Sequence, residues 1–320
     1  MELLTLNKDT RSVRKWSWTE RNKSRERDVF FVANELRRWW PMTARQIYYR
    51  LISSDRIKQD HWLWKNKQVD IYQALIRILK WMRIDEVLPW NAITDEHRIT
   101  TGKVGFSDTE QFIDSELDNF LSGYARCSAQ KQDYYIEIWI EKAALLHIVK
   151  PIADDFCRRV VVCRGYNSVT FQSEFYNRAI TAAGYDQKPL VLYFGDWDPS
   201  GVNMIYAAIQ TLQEELGLTH VNYYRAGINP EHFSTIPADP VPIKPKDTRS
   251  KRFIKNHGTA AYELDALHPE QLQKLVRGSI VQFTDMDAYE ENLLQEEKDH
   301  DVISDLKCDV MEFVINKGIG

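Results

Sequence analysis

Along the first third of the chain, apolar residues recur at helical spacing. Val29, Val32, Leu36 and Trp40 follow one another at intervals of three or four, which predicts a single buried helix face. Pro41 should end that helix, because proline lacks the N–H and its ring clashes with the preceding turn. Thr43 is a suitable N-cap for a second helix with Ile47, Tyr48 and Leu51 on one side. A third helix is predicted through Val69, Tyr72, Leu75, Ile76, Leu79 and Met82, followed by a Pro-containing extended stretch over 86–94. Short helices leading into an extended segment fit a winged helix-turn-helix, and fit other small helical domains as well.

After a further helical stretch from Thr109 to about Arg126 and a polar segment, the pattern changes at residue 134. Apolar β-rich runs at 134–140, 159–163, 190–194 and 220–224 alternate with helical patterns over 143–156, around Phe171 to Ile180, and over 202–216. This βαβαβαβ order, with strands that are apolar throughout, predicts an α/β fold with a mostly parallel sheet between helix layers. Ligand chemistry in such sheets gathers at the strand carboxyl ends. The expected division is an N-terminal helical, winged-helix domain over 1–130 and a sheet domain over 131–320, whose end, from about Ala226, reads as a mixed extension.

The 320 residues, 43% apolar, are enough for about two cores, which excludes disorder as the main state. No apolar run reaches the ~20 residues that cross a bilayer. The first residues, Met1-Glu2-Leu3-Leu4, lack a basic stretch followed by an apolar one, so a cytoplasmic protein with no membrane association is expected. Cys127, Cys157, Cys163 and Cys308 form no CxxC pair, which points away from a zinc knuckle or a disulfide framework. The net charge of −4 hides segregation. Residues 11–30 carry seven basic and three acidic side chains around Trp16 and Trp18. A Pro-rich stretch over 244–257, read as a loop, carries Lys244, Lys246, Arg249, Lys251, Arg252 and Lys255 against Asp247. Such patches grip a polyanion or are simply solvated.

The strongest chemical signal is Phe194-Gly195-Asp196-Trp197-Asp198-Pro199-Ser200-Gly201, in which an apolar strand ends in two carboxylates and then turns into a helix. If the chain stays extended past Gly195, both carboxylates point to one side. Oxygen-only ligands select a hard cation, Mg²⁺ by default and Mn²⁺ as an alternative. The plainer reading makes Asp198 a helix cap beside an aspartate in a turn. Glu141, at the end of the first strand, would converge on the pair in a parallel sheet, whereas Glu137 lies inside its strand. The turn Cys163-Arg164-Gly165-Tyr166 offers a backbone perch for a phosphate.

This pattern resembles the Toprim domain, and within it the A subunit of type IIB topoisomerases (topoisomerase VI) and the related meiotic double-strand-break protein. The resemblance is carried by Glu141-Lys142, Arg164-Gly165-Tyr166, Asp196-Trp197-Asp198-Pro199-Ser200-Gly201 and Glu263-Leu264-Asp265-Ala266-Leu267. It extends upstream to Arg45-Gln46-Ile47-Tyr48-Tyr49, and the islands span roughly residues 40 to 270. It implies a Toprim domain after a winged helix, with Tyr49 as nucleophile, Arg45 near the scissile phosphate, and Mg²⁺ held by Glu141, Asp196 and Asp198. Lys142 or Arg164 would neutralise a phosphate oxygen. It further implies cleavage of double-stranded DNA through a 5′-phosphotyrosyl link, a homodimer in which each tyrosine meets the partner's metal site, and an ATPase B-like subunit as a possible partner. Lys244, Lys246, Arg249, Lys251 and Arg252 are then candidates for phosphate contacts. Trp197 and Ser200 depart from the family pattern beside the metal site. Glu263 and Asp265 could support the metal ligands from behind, but acidic residues near a helix start are more often dipole partners, and that reading is favoured. Such a protein would be a free-standing or mobile-element relative of the A subunit, cytoplasmic and nucleoid-associated when on DNA.

Three rival readings stand beside this one. A hydrolytic Toprim endonuclease would keep the carboxylates and use water in place of Tyr49. A phosphohydrolase would use the Asp-x-Asp strand, but such enzymes place that motif on their first strand. A non-catalytic winged-helix DNA-binding protein would use neither.

Overall fold

A computed structural model of the chain describes residues 18–62, 71–94, 105–163, 169–184, 186–236, 239–243 and 249–316. The chain divides into two compact units, Met1–Thr94 and Asp95–Gly320. The boundary expected at 130 lies inside the second unit, because the preceding segment is tied to the last helix. Arg126 pairs with Asp299 at 2.7 Å, and Lys307 donates to the Asp118 carbonyl at 3.0 Å.

In the first unit, helices α1 (Glu20–Glu35), α2 (Ala44–Ser53) and α3 (Ile71–Ile84) enclose a core that includes Val29, Val32, Leu36, Ile47, Leu51, Leu75, Ile78 and Met82. α1 ends before Pro41, and a 3₁₀ turn, Arg37–Trp39, follows it. α2 starts where the sequence places it: Thr43 and Gln46 form a reciprocal capping box. Buried Asp28 accepts hydrogen bonds from Arg56 at 3.0 Å and Trp62 at 2.9 Å, and fastens the segment after α2 to α1. Over 86–94 the described chain forms a 3₁₀ turn, Trp90–Ala92, and one isolated bridge from Ile93 to Met42. Among the described residues of this unit there is no strand that would build a wing.

The second unit is built on a four-stranded, all-parallel sheet in the order β2-β1-β3-β4, with β1 Tyr134–Ile140, β2 Arg159–Val162, β3 Lys188–Phe194 and β4 Asn222–Arg225. Helix α4 (Thr109–Asn119) precedes the sheet, and the linking helices are α5 (Leu146–Asp155), α6 (Val169–Ala183) and α7 (Pro199–Gln210). β1 and β3 are central and buried on both faces, which is why their sequences read as unbroken apolar runs. Trp139, Val191 and Tyr193 pack with Phe175, Ala179, Met204 and Ala208 in one core, while Ile138, Ile140, Leu192 and Phe194 alternate to the other side.

Beyond β4 the chain is mainly helical, with α8 (Ser250–His257), α9 (Pro269–Val281) and the 31-residue α10 (Met286–Asn316). Two antiparallel bridges, Trp197 with Tyr262 and Val241 with Ala261, complete it. Part of the stretch read as a loop over 244–257 is therefore α8. Phe253 anchors that helix by burial, and Gly258 ends it at φ 81°. Among the described residues, no helix is long and apolar enough to cross a membrane.

Glu137 is fully buried inside β1 and has a structural explanation. It accepts from Arg178 Nε at 2.6 Å and Nη2 at 3.1 Å, from Tyr135 at 2.5 Å and from Trp139 Nε1 at 3.2 Å. Arg178→Met would strand this carboxylate and should cost about 3 kcal/mol, the low end for a broken buried pair, since the Arg178 side chain is 25% exposed. Urea unfolding of the variant checks this, and a loss below about 1 kcal/mol would show the pair to be dispensable.

Asp299 accepts from Tyr124, Gln295 and Arg126, and these bonds hold its carboxyl down at about 2. A depressed carboxylate stabilises the fold above its unfolded value of 3.8, and that contribution fades as pH falls toward 2. The stability difference between the natural chain and Asp299→Asn should be constant above pH ~4 and shrink below it. Acid titration of both proteins reads this directly.

Candidate active site at the carboxyl edge of the sheet

Ile140 and Phe194 are register partners at the ends of β1 and β3, and Glu141 N continues the ladder to the Phe194 carbonyl at 2.9 Å. Parallel pairing therefore delivers Glu141 and Asp196 to the same place. Glu141 Oε2 accepts the Asp196 N–H at 2.9 Å and the Tyr193 hydroxyl at 3.3 Å. Gly201, in the first turn of α7, permits this approach: a Cβ there would lie 2.4 Å from the Asp196 carbonyl oxygen and 3.0 Å from Glu141 Oε2.

Asp198 is the N-cap of α7, and its Oδ1 accepts from Ser200 N at 2.9 Å and Gly201 N at 2.6 Å. The capping role weighed from sequence is thus present, carried by one carboxylate oxygen. Asp196 turns toward the interior, where its Oδ1 accepts the Leu264 N–H at 2.7 Å. Trp197, between them, forms the backbone bridge to Tyr262 at 2.8 and 3.0 Å, and its ring packs among Phe233, Phe253 and His257. The tryptophan acts as the peg that brings residues 262–265 to the strand ends.

That peg changes the reading of Glu263 and Asp265. Asp265 stands in a 3₁₀ turn, Leu264–Ala266, but the carboxylates of both close on Lys142, whose Nζ lies 3.1 Å from Glu263, 2.9 Å from Asp265 and 3.1 Å from Asp196. Arg225, at the end of β4, donates to the carbonyls of Asp196 at 2.6 Å and Gly195 at 3.2 Å, and steadies the loop from behind. A cation ending an apolar strand at this edge was the available signal for Arg225. Nothing in the linear pattern marked Tyr193.

Three carboxylates, Asp196, Glu263 and Asp265, thus gather around Lys142, with Glu141 and Asp198 beside them. Burial raises the Asp196 carboxyl above the ordinary range, with Lys142 opposing and Glu141 adding to the shift. Burial also raises Glu141, assisted by the charge of Asp198. Lys142 holds its proton more tightly than a free lysine: burial alone would loosen it, but Asp196, Asp265 and Glu263 outweigh that. Acids and base move the same way for different reasons: burial disfavours the charged carboxylates, whereas the surrounding carboxylates favour the charged ammonium. Asp265 Oδ1 is buried with no hydrogen-bond partner. An oxygen-only, acidic, partly unsatisfied donor set suits a hard divalent cation such as Mg²⁺. Among the described residues no three His, Cys, Asp or Glu side chains form a closed ligand group, and Lys142 is the cation at the centre of the cluster.

The other predicted residues lie elsewhere. Arg164, Lys244 and Lys246 fall outside the described residues. Lys251 and Arg252 are exposed on α8, and Arg249 immediately precedes it. Arg249 and Arg252 line a cavity of about 650 Å³ with Asn203, Tyr206, Asn256 and His257, next to the first turn of α7. In the first unit, Tyr49 is 8% exposed and Tyr48 is half-buried, with its ring centroid 5.7 Å from that of Tyr49 and 5.5 Å from that of Tyr72. Arg45 is exposed one turn before Tyr49. Compared with known proteins, the chain matches no family model and no curated protein.

Lys142→Met would leave the buried carboxylates without their ammonium and should cost ~3 kcal/mol or more. Millimolar Mg²⁺ should restore part of that loss, seen as a rise in the variant's melting temperature. A variant whose melting temperature ignores Mg²⁺ and Mn²⁺ would count against a divalent cation at this cluster.

Proposed function

We propose that the chain cleaves DNA strands by metal-dependent phosphoryl transfer at this cluster, with Tyr49 as the nucleophile, as its resemblance to the topoisomerase VI A subunit implies. The observation that carries the reading is the convergence of Glu141 and Asp196, with Asp198, Glu263 and Asp265 around them, at the carboxyl edge of a parallel sheet. Glu141, Asp196 and Asp198 would hold Mg²⁺ or Mn²⁺. Such an ion offsets the negative charge that develops on phosphate oxygens during displacement. The Tyr49 oxygen forms the bond to phosphorus, its proton passes to solvent, and the 3′ oxygen leaves and takes up a proton. Arg45, on the same helix face, favours the phenolate. Arg249, Lys251 and Arg252 grip phosphates without reading sequence. A two-fold homodimer would place two such centres across a duplex, and an ATPase subunit would be a separate chain.

One observation favours a second reading. Tyr49 is 8% exposed, whereas a nucleophile has to reach its phosphate. Hydrolysis by water at the same carboxylates needs no tyrosine.

Supercoiled plasmid and end-labelled duplex incubated with the protein and Mg²⁺ or Mn²⁺, quenched with SDS and run before and after protease, separate the two. Transesterification predicts protein-linked 5′ ends that disappear in Tyr49→Phe. Hydrolysis predicts free ends that survive Tyr49→Phe and fall at least ~100-fold in Asp196→Ala. Salt-sensitive DNA binding with no cleavage under either metal would defeat both.

A further inference from the structure

A second charged site lies toward the other end of β1, ~16 Å along the strand from Glu141. A cavity of about 710 Å³ is lined there by Tyr135, Ile136, Arg158, Arg159, Arg178 and the 127–132 segment. Arg158 is fixed by the turn that closes α5: Cys157 sits at φ 50°, and Arg158 N donates to the Ala153 carbonyl at 2.8 Å. Its side chain is buried, the residue being 4% exposed, and Nε and Nη2 have no hydrogen-bond partner. A guanidinium stays protonated in proteins, so a full charge and two donors leave water without compensation. Burial accordingly pushes its pKa down.

The surrounding charges do not repair this. Lys131 is balanced by Glu291, and Arg178 by Glu137. Arg159 is exposed and has no ion pair among the described residues. Asp186 is the one carboxylate in the lining. Asp186 balances at most one of Arg158 and Arg159, so the lining keeps a surplus of guanidinium, and the planar guanidinium fork matches phosphate oxygens. The volume and the apolar wall of Ile136, Tyr135 and Ala182 suit an organic body of moderate size. We propose that this cavity binds a phosphate monoester of about mononucleotide size, its phosphate recognised by Arg158 and Arg159. The site is separate from the carboxylate cluster and does not depend on the DNA-cleavage reading.

Calorimetric titration of the full chain with adenosine monophosphate, inorganic phosphate and adenosine tests it. Adenosine monophosphate should bind with Kd below ~1 mM, inorganic phosphate more weakly, and adenosine not measurably. Arg159→Gln, a surface change, should weaken adenosine monophosphate at least ~10-fold, and Arg158→Met should abolish binding. Equal binding of adenosine, affinity unaffected by Arg159→Gln, or no binding of either phosphate up to ~10 mM would overturn the proposal. If Arg158→Met does not fold, Arg159→Gln and the adenosine control decide.

Discussion

The ammonium of Lys142 sits within 3.1 Å of Asp196, Glu263 and Asp265, and the arrangement of the second unit's functional edge follows from that charge balance. A buried carboxylate costs several kcal/mol unless it is paired or hydrogen-bonded. The fold answers with one ammonium, a backbone N–H for Glu141, another for Asp196 and two for Asp198. Three stretches far apart in sequence are joined by these contacts: the end of β1, the end of β3 and residues 262–265. Asp198 is capped within its own stretch, whereas Glu141, Asp196, Glu263 and Asp265 each take a partner from another.

The parallel sheet makes that meeting possible. Strands that run the same way bring their carboxyl ends to one edge, so Glu141 and Asp196 become neighbours once Ile140 pairs with Phe194. The backbone bridge between Trp197 and Tyr262 then recruits the third stretch. Trp197, which looks from sequence like an intrusion between two metal ligands, places its ring among Phe233, Phe253 and His257.

What the sequence made legible follows from the range of each signal. β1 was readable because both its faces are buried, and the start of α2 because Thr43 and Gln46 act within one turn. The pairing of Glu141 with Asp196 followed from parallel topology alone. Glu263 and Asp265 were misassigned because their partner lies more than 120 residues away, and local spacing offers a dipole role first. α8 was hidden by its basic, Pro-flanked composition, since its helical form rests on the burial of Phe253 against Trp197. The expected boundary at 130 moved to 94 for the same kind of reason: Arg126 answers to Asp299 in α10, a contact with no local signature.

Charge is segregated within this acidic chain, and the segregation bears on how a polyanion would approach. The exposed acidic face of α10 repels phosphate, whereas Lys251, Arg252 and Lys255 on α8 stand exposed beside the cavity that borders the first turn of α7. That turn is capped by Asp198. On the proposed reading, a backbone drawn to α8 by long-range attraction is therefore led to the strand ends, where surplus negative charge would repel it unless a cation stands between. The same surplus that suits the cluster to a cation makes it a poor phosphate site without one. The basic cavity around Arg158 has the opposite problem, an excess of guanidinium over the one carboxylate in its lining, and so the two ends of one sheet call for ligands of opposite sign.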